Sequence, residues 1–311
     1  MATPGTVRIG ISGWRYPPWR GVFYPPKLPQ KRELAYAGNI FRSIEINGTF
    51  YSLQRPEYFE AWAAETPDDF VFSVKGPRFI THIKRLKDVR APLANFLASG
   101  VLRLGPKFGP ILWQFPPNFR FDPKKLESFL KMLPHDTESA AALARRHDKR
   151  LSGRSALKTD AKRQVRHAME IRHASFVTPE FVELLRAYDV ALVCADAVEW
   201  PRLMDVTSDF VYCRLHGSEQ LYASGYDNKA LDQWATRVAS WARGKQPEDA
   251  EQIIKPGELQ MQPRDVFIYF DNDAKVRAPF DAQGLMARVD AMLKLHPAEV
   301  KSARSVSQIR A

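Results

Sequence analysis

Residues 43–52 read "SIEINGTFYS", and their centre has the apolar, β-branched character of a buried strand. Two polar residues, Glu45 and Asn47, alternate with apolar ones inside this run. Residues two apart on a strand point to the same side, so one buried face would carry a carboxylate and an amide. Burial of such groups is unfavourable by several kcal/mol unless they are paired or used. Their presence therefore needs a structural or functional reason, which the rest of the chain supplies.

Eight short β-rich runs follow one another along the 311-residue chain, separated by segments with apolar residues at helical spacing. The runs cover residues 7–14, 43–51, 70–76, 110–116, 167–173, 190–196, 210–217 and 265–272. This alternation favours parallel strands joined by right-handed crossovers. Eight units predict the α/β class and a single (β/α)8 TIM-type barrel over about residues 7–293, a length near the ~250 residues usual for that fold. A doubly wound open sheet is the alternative, but "GISGWRYPPWRG" is not its glycine-rich first turn.

The formal net charge of +11 is concentrated in one place. Residues 144–166 hold nine Lys and Arg against two Asp, a local charge of +7. We expect an exposed basic insertion at about 138–163, between strands 4 and 5, and a C-terminal tail at 294–311, all within one domain. A solvated loop and a phosphate-binding arm for nucleic acid are both consistent with such a charge run.

Other features exclude several classes of protein. No apolar run approaches the ~20 residues of a membrane span, and the N-terminus has no secretory leader, so we expect no membrane partner. Cys194 and Cys213 lie in separate apolar runs without C-x-x-C spacing. They are interpreted as reduced core residues, which favours a cytoplasmic protein.

Polar residues recur late in most of the eight runs, and TIM-type barrels build their active sites at the C-terminal ends of the strands. We therefore expect these residues to surround one pocket. The candidate catalytic carboxylates are Glu45, Glu170 and Asp196, with Glu170 as the first choice for an acid or base. The candidate substrate-binding residues are Asn47, Lys75, His82, Gln114, Arg172, Arg214, His216 and Asn272. Pairing among these charges in a purely structural network is the alternative interpretation.

Several motifs resemble those of the YecE-like family, also called domain of unknown function 72. They are "GISGW" (10–14), "EINGTFY" (45–51), "QFPP" (114–117), "EIRHASF" (170–176), "RLHG" (214–217) and "YFDND" (269–273). The resemblance covers roughly residues 7–293, with the motifs in the order of the family. It implies a single TIM-type barrel and brings no assigned activity.

Four functions stay open at this point. An enzyme could hydrolyse a sugar-like substrate with two carboxylates, or act on a phosphate-bearing substrate held by Lys75, Arg172, Arg214 and His216. A metal-assisted hydrolase or isomerase would use the carboxylates and His216 as ligands, although no H-E-x-x-H or H-x-H spacing is present. A nucleic-acid-associated protein would use the 144–166 arm. We predict a small anionic or sugar-like ligand and no cofactor, with a divalent metal as the alternative.

Overall fold

Eight parallel strands close into a barrel in the computed structural model, which describes residues 3–217, 221–255, 257 and 261–294. The strands are β1 (Val7–Ser12), β2 (Ser43–Ile46), β3 (Val71–Lys75), β4 (Phe108–Gln114), β5 (His167–Glu170), β6 (Val190–Asp196), β7 (Phe210–Leu215) and β8 (Asp265–Phe270). They are arranged in sequence order, and β8 pairs with β1. The predicted (β/α)8 TIM-type barrel is confirmed. The predicted tail lies outside the described residues except for Lys294.

Helices surround the barrel. They are α1 (Glu33–Ile40), α2 (Gly48–Tyr51), α3 (Pro56–Ala64), α4 (Arg90–Ala98), α5 (Pro123–Leu130), α6 (Thr137–Ala144), α7 (Pro179–Ala187), α8 (Asn228–Ala242) and α9 (Ala278–Leu293). The start of α7 follows from local residue types: Pro179 occupies the first turn, and the Thr178 hydroxyl accepts from the Phe181 amide at 3.4 Å. These local signals fix where the helix begins.

The second half of the 43–52 stretch differs from the prediction of a continuous strand. β2 ends at Ile46, and residues 48–51 form the short helix α2. The Thr49 hydroxyl lies 3.1 Å from the Ile46 carbonyl and 2.7 Å from the Lys75 carbonyl, so it joins the ends of β2 and β3. Asn47 therefore lies at the exit of the strand, on the rim of the barrel.

The interior of the barrel is layered. Its lower part is packed with apolar and aromatic side chains that are almost fully buried: Leu112, Ala168, Ala191, Val193, Phe210, Tyr212, Phe267 and Tyr269. The hydroxyls of Tyr269 and Tyr212 lie 2.6 Å from Ser43 Oγ and 2.7 Å from Ser73 Oγ. Above these hydroxyls the inward positions become charged, so a closed floor supports a polar upper layer.

The basic segment lies between β4 and β5, and it is not a detached loop. Its first part is α6, which packs on α4, and the Ala156 amide donates to the Ala98 carbonyl at 2.8 Å. Leu151 and Ala156 are buried, whereas the basic side chains around them are exposed. The prediction of an exposed excursion counted the charges and overlooked the apolar residues between them. Most basic side chains of this segment are exposed, while some of its apolar residues pack inward.

The two cysteines lie in register on β6 and β7, both buried and with free thiols, as expected of core residues. Burial raises the pKa of the Cys213 thiol well above its usual value. In the described ranges, no helix has the length and apolar character needed to cross a bilayer.

Candidate active site

Arg214 is the centre of a charged network in the upper barrel. Its side chain is 0% exposed. The guanidinium donates to both oxygens of Glu45 at 3.0 and 3.1 Å, to Glu170 Oε2 at 2.7 Å and to Asp271 Oδ2 at 2.8 Å. A further bond at 3.0 Å goes to Ser12 Oγ. One cation thus binds three carboxylates that come from three different strands.

Strand alternation explains how the network forms. On β7 the inward positions run from Phe210 in the floor, through Tyr212, to Arg214 and His216 at the top. On β2 the same alternation places Glu45 inward while Ile44 and Ile46 pack in the outer core. The ends of all strands meet around one axis in a closed barrel, so the polar inward residues converge.

Glu45 is fully engaged by its neighbours. Oε1 accepts from Ser12 Oγ at 2.5 Å in addition to Arg214, and Oε2 accepts from the Tyr212 hydroxyl at 2.6 Å. Asn47 extends this group, because its Nδ2 donates to Ser12 Oγ at 3.0 Å. Glu45 therefore orients Arg214 and has both oxygens occupied.

Glu170 is similarly enclosed on the opposite side of Arg214. Oε1 accepts from Gln114 Nε2 at 2.8 Å and from Arg172 Nε at 2.9 Å, while Oε2 is bound to Arg214. Burial opposes ionisation of this carboxyl, but the adjacent Arg214 and Arg172 outweigh burial and hold its pKa well below its usual value. Glu170 is thus a bound carboxylate anion.

His216 and Asp271 form the edge of the network toward β8. The imidazole Nδ1 lies 3.1 Å from Asp271 Oδ2, without the alignment of a full hydrogen bond. Burial lowers the pKa of His216 despite this carboxylate. The pKa of Asp271 is also lowered; burial opposes this shift, and the Arg214 cation is its main cause. His216 is therefore a neutral, buried imidazole.

Lys75, at the end of β3, differs from Arg172 and Arg214, the two hydrogen-bonded cations of the site. Its side chain is 8% exposed, and its Nζ lies 4.4 Å from the centre of the Phe50 ring. Among the described residues, no carboxylate or other hydrogen-bond acceptor pairs with this ammonium. Burial, together with the nearby Arg214, lowers the pKa of Lys75 to about 8. The site thus contains one ammonium that is held only against an aromatic face.

More cations and aromatic rings line the opening of the barrel above this network. The Arg172 guanidinium lies 3.7 Å from the Trp200 ring centre, and its Nη2 donates to the Tyr222 hydroxyl at 3.3 Å. His82 lies in a short π-helical turn, Phe79–Ile83, just after β3. Burial and the nearby cations Lys75, Arg172 and Arg78 lower the pKa of His82 to about 4. The opening is therefore more cationic than the network beneath it.

A cavity of about 160 Å³ lies beside this opening. Phe50, whose ring contacts Lys75, forms one of its walls, and Arg150 of the basic insertion also lines it. The remaining lining residues are Tyr51, Ser52, Leu53, Pro77, Phe79, Pro92 and Asn95. Lys75 does not line this cavity itself and is connected to it only through the shared Phe50 ring.

Two of the residues predicted from sequence do not join this site. Asp196 has the parity of the outer core and accepts from Tyr226, Trp234 and Arg202 at 2.9, 3.2 and 3.1 Å. Asn272 also points outward, where its Nδ2 donates to Asp281 Oδ2 at 2.7 Å. The prediction that these two residues lie in the pocket is wrong. Both lie near the end of a strand, but at positions that alternate with the inward-facing ones, so their side chains point out of the barrel. Both side chains anchor loops to helices instead.

The structure brings together the other predicted residues: Glu45, Asn47, Lys75, His82, Gln114, Glu170, Arg172, Arg214 and His216. The structure adds Ser12, Tyr212 and Asp271 to the site. Each lies two residues from another inward-facing residue, namely Gly10, Arg214 and Tyr269 respectively. The alternation of side chains along a strand could therefore have identified all three. Trp200 and Tyr222 lie in the segments after β6 and β7, where no periodic pattern marks them.

A metal centre finds little support in the donor set. Within the part of the chain that the structure describes, no group of three or more His, Cys, Asp and Glu residues has an arrangement able to hold a metal ion. Glu45, Glu170 and Asp271 converge, but Arg214 lies among them and binds all three. A cation of the protein itself thus occupies the centre where the carboxylates meet.

The fold and site together define a TIM-type barrel protein with a buried, arginine-centred charge network at the C-terminal ends of its strands. The family model described as "Protein of unknown function DUF72" matches residues 8–304. The chain therefore belongs to the DUF72 family, as the resemblance in sequence implies.

Relatives and solved structures agree with this assignment. The chain is 24% identical to the UPF0759 protein YunF of Bacillus subtilis, over 91% of this chain and 95% of the relative. It is 31% identical to the UPF0759 protein YecE of Escherichia coli K12, over 41% and 44%. A DUF72 family crystal structure from Thermotoga maritima superposes with a TM-score of 0.66 at 24% identity, covering 92% of this chain and 99% of that one. The structural likeness concerns the fold.

Proposed function

We propose that this protein is an enzyme that binds a small phosphate-bearing substrate at the opening of the barrel and performs acid/base chemistry there. The observation that carries the proposal is the unpaired ammonium of Lys75, which shares the Phe50 ring with Arg78 and lies, together with Arg78 and Arg172, near His82. A phosphate group would supply the acceptor that this ammonium lacks. Arginine and lysine together are favourable phosphate ligands because of their charge and multiple donors.

The pairing of the charges supports an anionic ligand. All three carboxylates of the network are bound to Arg214. Lys75, Arg172 and Arg78 lie near His82, whose pKa reflects all three of them. An anion that enters from the opening would therefore meet cations first, in a partly desolvated setting where electrostatic attraction is strong.

Hydrolysis of a sugar-like substrate by a carboxylate pair is less well supported. That reaction needs one protonated carboxylic acid and one carboxylate free to attack or to bind water. Glu45 and Glu170 both have their oxygens occupied, and the pKa of Glu170 is low. Lys75, whose pKa is about 8, is better suited to exchange a proton near neutral pH. A cytoplasmic location is part of this proposal, supported by the two buried, free thiols.

Calorimetric titration with inorganic phosphate and with small phosphate esters tests the proposal. We expect Lys75→Met and Arg172→Gln each to weaken binding by at least about tenfold, the size of one charge-assisted hydrogen bond. Lys87→Ala, at an exposed position, is the matched control and should bind as the wild type does. Wild-type protein that binds none of these compounds, or variants with unchanged affinity, would overturn the proposal.

A second candidate function rests on the basic face of the insertion. Arg145, Arg146, Lys149, Arg154 and Lys158 are exposed, and none of the ion pairs found between described residues includes them. Such a face suits non-specific binding to a nucleic-acid backbone. Affinity for a duplex oligonucleotide should then fall steeply with salt, and replacing Arg145, Arg146 and Lys149 by Gln should flatten that dependence without changing phosphate binding at Lys75.

A further inference from the structure

Two lysines of equal burial show what is unusual about Lys75. Lys75 and Lys107 are each 8% exposed. Lys107 Nζ donates to the carbonyls of Ala63 and Thr66 at 2.6 and 2.7 Å and to the Thr66 hydroxyl at 3.3 Å. Lys75 has no comparable acceptor among the described residues and contacts the Phe50 ring. Lys107 is a satisfied structural cation, whereas the Lys75 nitrogen is free to react.

We propose that Lys75 is a nucleophile that forms an imine with a carbonyl group of the substrate. This inference rests on the proposed function and deepens it, since the substrate would be a small aldehyde or ketone that also carries an anionic group. The Lys75 ammonium would contact the anion as the substrate binds; once Lys75 loses its proton, Arg172 and Arg78 would hold the anion and the carbonyl carbon would lie against Lys75 Nζ. An amine in an apolar or cationic setting is a recognised covalent catalyst for carbonyl compounds.

The chemistry of the step is balanced without any further reactant. The lone pair of the neutral amine attacks the carbonyl carbon, and the carbonyl oxygen takes up a proton to give a carbinolamine. Loss of the hydroxyl group as water then leaves a carbon–nitrogen double bond. Carbonyl compound and amine thus become imine and water, with no change of oxidation state. The first step needs Lys75 without its proton.

The surroundings of Lys75 favour that neutral amine. The charged groups that act on it are Arg214, Glu45, Asp271 and Glu170, and His82 lies nearby. A pKa of about 8 in place of 10.5 raises the fraction of neutral amine at pH 7 by about 300-fold. The Phe50 ring stabilises the ammonium through a cation–π contact, which makes no directional hydrogen bond to the nitrogen. Once the proton leaves, the lone pair of the nitrogen is therefore available for attack.

Reductive trapping tests the inference. The full-length protein is treated at pH 7 with glyoxylate, an aldehyde with a carboxylate, and with sodium cyanoborohydride, which reduces an imine to a stable secondary amine. Peptide mapping by mass spectrometry then measures the modification of each lysine. We expect Lys75 to react at least about tenfold faster than the exposed Lys27 and Lys87, owing to its larger neutral fraction. Lys107 should stay unmodified, and inorganic phosphate should slow the reaction of Lys75.

The outcomes separate this inference from the proposed function. If phosphate binds but Lys75 reacts no faster than Lys27, the imine is excluded and the anion site stands. If Lys75 is trapped rapidly but phosphate neither binds nor competes, the nucleophile stands and the phosphate-bearing substrate is excluded. Slow trapping without phosphate binding excludes both. Lys75→Arg, which keeps the charge, should abolish trapping at this position and retain phosphate binding.

Discussion

Arg214 and Glu45 meet through two parallel hydrogen bonds, Nε to Oε2 at 3.1 Å and Nη2 to Oε1 at 3.0 Å, and both side chains are fully buried. Such a two-point pairing fixes the plane of the guanidinium. The remaining donors then face Glu170 and Asp271, so the geometry of the whole network depends on this pair. Removal of either partner would leave charge in a desolvated interior.

Arg214→Met should destabilise the protein strongly and change its response to pH. Three buried carboxylates would lose their shared cation, and loss of one partner from such pairs costs about 3–5 kcal/mol. Without this cation, burial would raise the pKa values of Glu170 and Asp271 above those of the unfolded chain, so the folded variant would bind more protons. We expect the variant to become more stable as pH falls from 7 to 5, measured by urea denaturation.

The wild-type protein is the control for this predicted direction of the pH dependence of stability. Its Glu170 and Asp271 have lowered pKa values, so the stability they provide is present at neutral pH and is lost only below the unfolded values near 4. The wild type should gain nothing from these groups between pH 7 and 5. A variant whose stability also stays flat over that range would contradict the account of the network.

Lys75→Met should stabilise the protein. Because the folded pKa is lowered to about 8, the charged lysine is unfavourable at every pH below 8, by about 3 kcal/mol for the full shift. This cost falls between pH 8 and 10.5, where the unfolded chain alone keeps the proton. We expect a gain of about 1–3 kcal/mol in the free energy of unfolding at pH 7, and a smaller gain at pH 10.

Lys107→Met provides the comparison for that measurement. It removes three hydrogen bonds from a lysine with the same exposed fraction and should destabilise the protein. Opposite signs for the two variants would mark Lys75 as a residue kept for function at the expense of stability. If Lys75→Met is the less stable protein at pH 7, the ammonium has a favourable partner after all.

His82 reports on the cations at the opening of the barrel. Its pKa of about 4 comes first from burial and then from Lys75, Arg172 and Arg78. We expect histidine NMR titration to show His82 neutral above about pH 5, and to show a higher pKa in Lys75→Met, since one cation is gone. An unchanged His82 pKa in that variant would mean that the two side chains lie farther apart than described.

Asp196→Asn tests whether Asp196, whose side chain points out of the barrel, is independent of the site. The substitution removes the ion pair with Arg202 and weakens the bonds from Tyr226 and Trp234. We expect a loss of about 1–3 kcal/mol in unfolding free energy, with phosphate affinity unchanged. A large drop in phosphate affinity without loss of stability would show that Asp196 contacts the substrate.

The fold could be predicted because strand and helix periods alternate eight times, and each unit carries its own signal. The packing of the basic insertion was harder to predict from sequence. Its nine Lys and Arg obscure the few apolar residues, such as Ala144 and Leu151, that attach it to the barrel. In α2 the strand-like residues of "NGTFY" form a helix, because Thr49 bonds to the Ile46 and Lys75 carbonyls. Tertiary contacts overrode local propensity there.

The site could be predicted in part. The position of a polar residue near the end of a strand identified Glu45 and Arg214, but parity decides which of two adjacent residues points inward, as Asp271 and Asn272 show. Sequence does not reveal which cation stays unpaired. Whether Lys75 has a hydrogen-bond partner depends on its distances to side chains on other strands. Those distances are set only in the folded barrel.

The aromatic floor that contains Tyr212 and Tyr269 lies beneath the charged network and bonds to Ser43 and Ser73. Both serines are fully buried, so bulk water does not reach their hydroxyls. We expect these hydroxyl protons to exchange with solvent far more slowly than those of exposed serines, as measured by NMR.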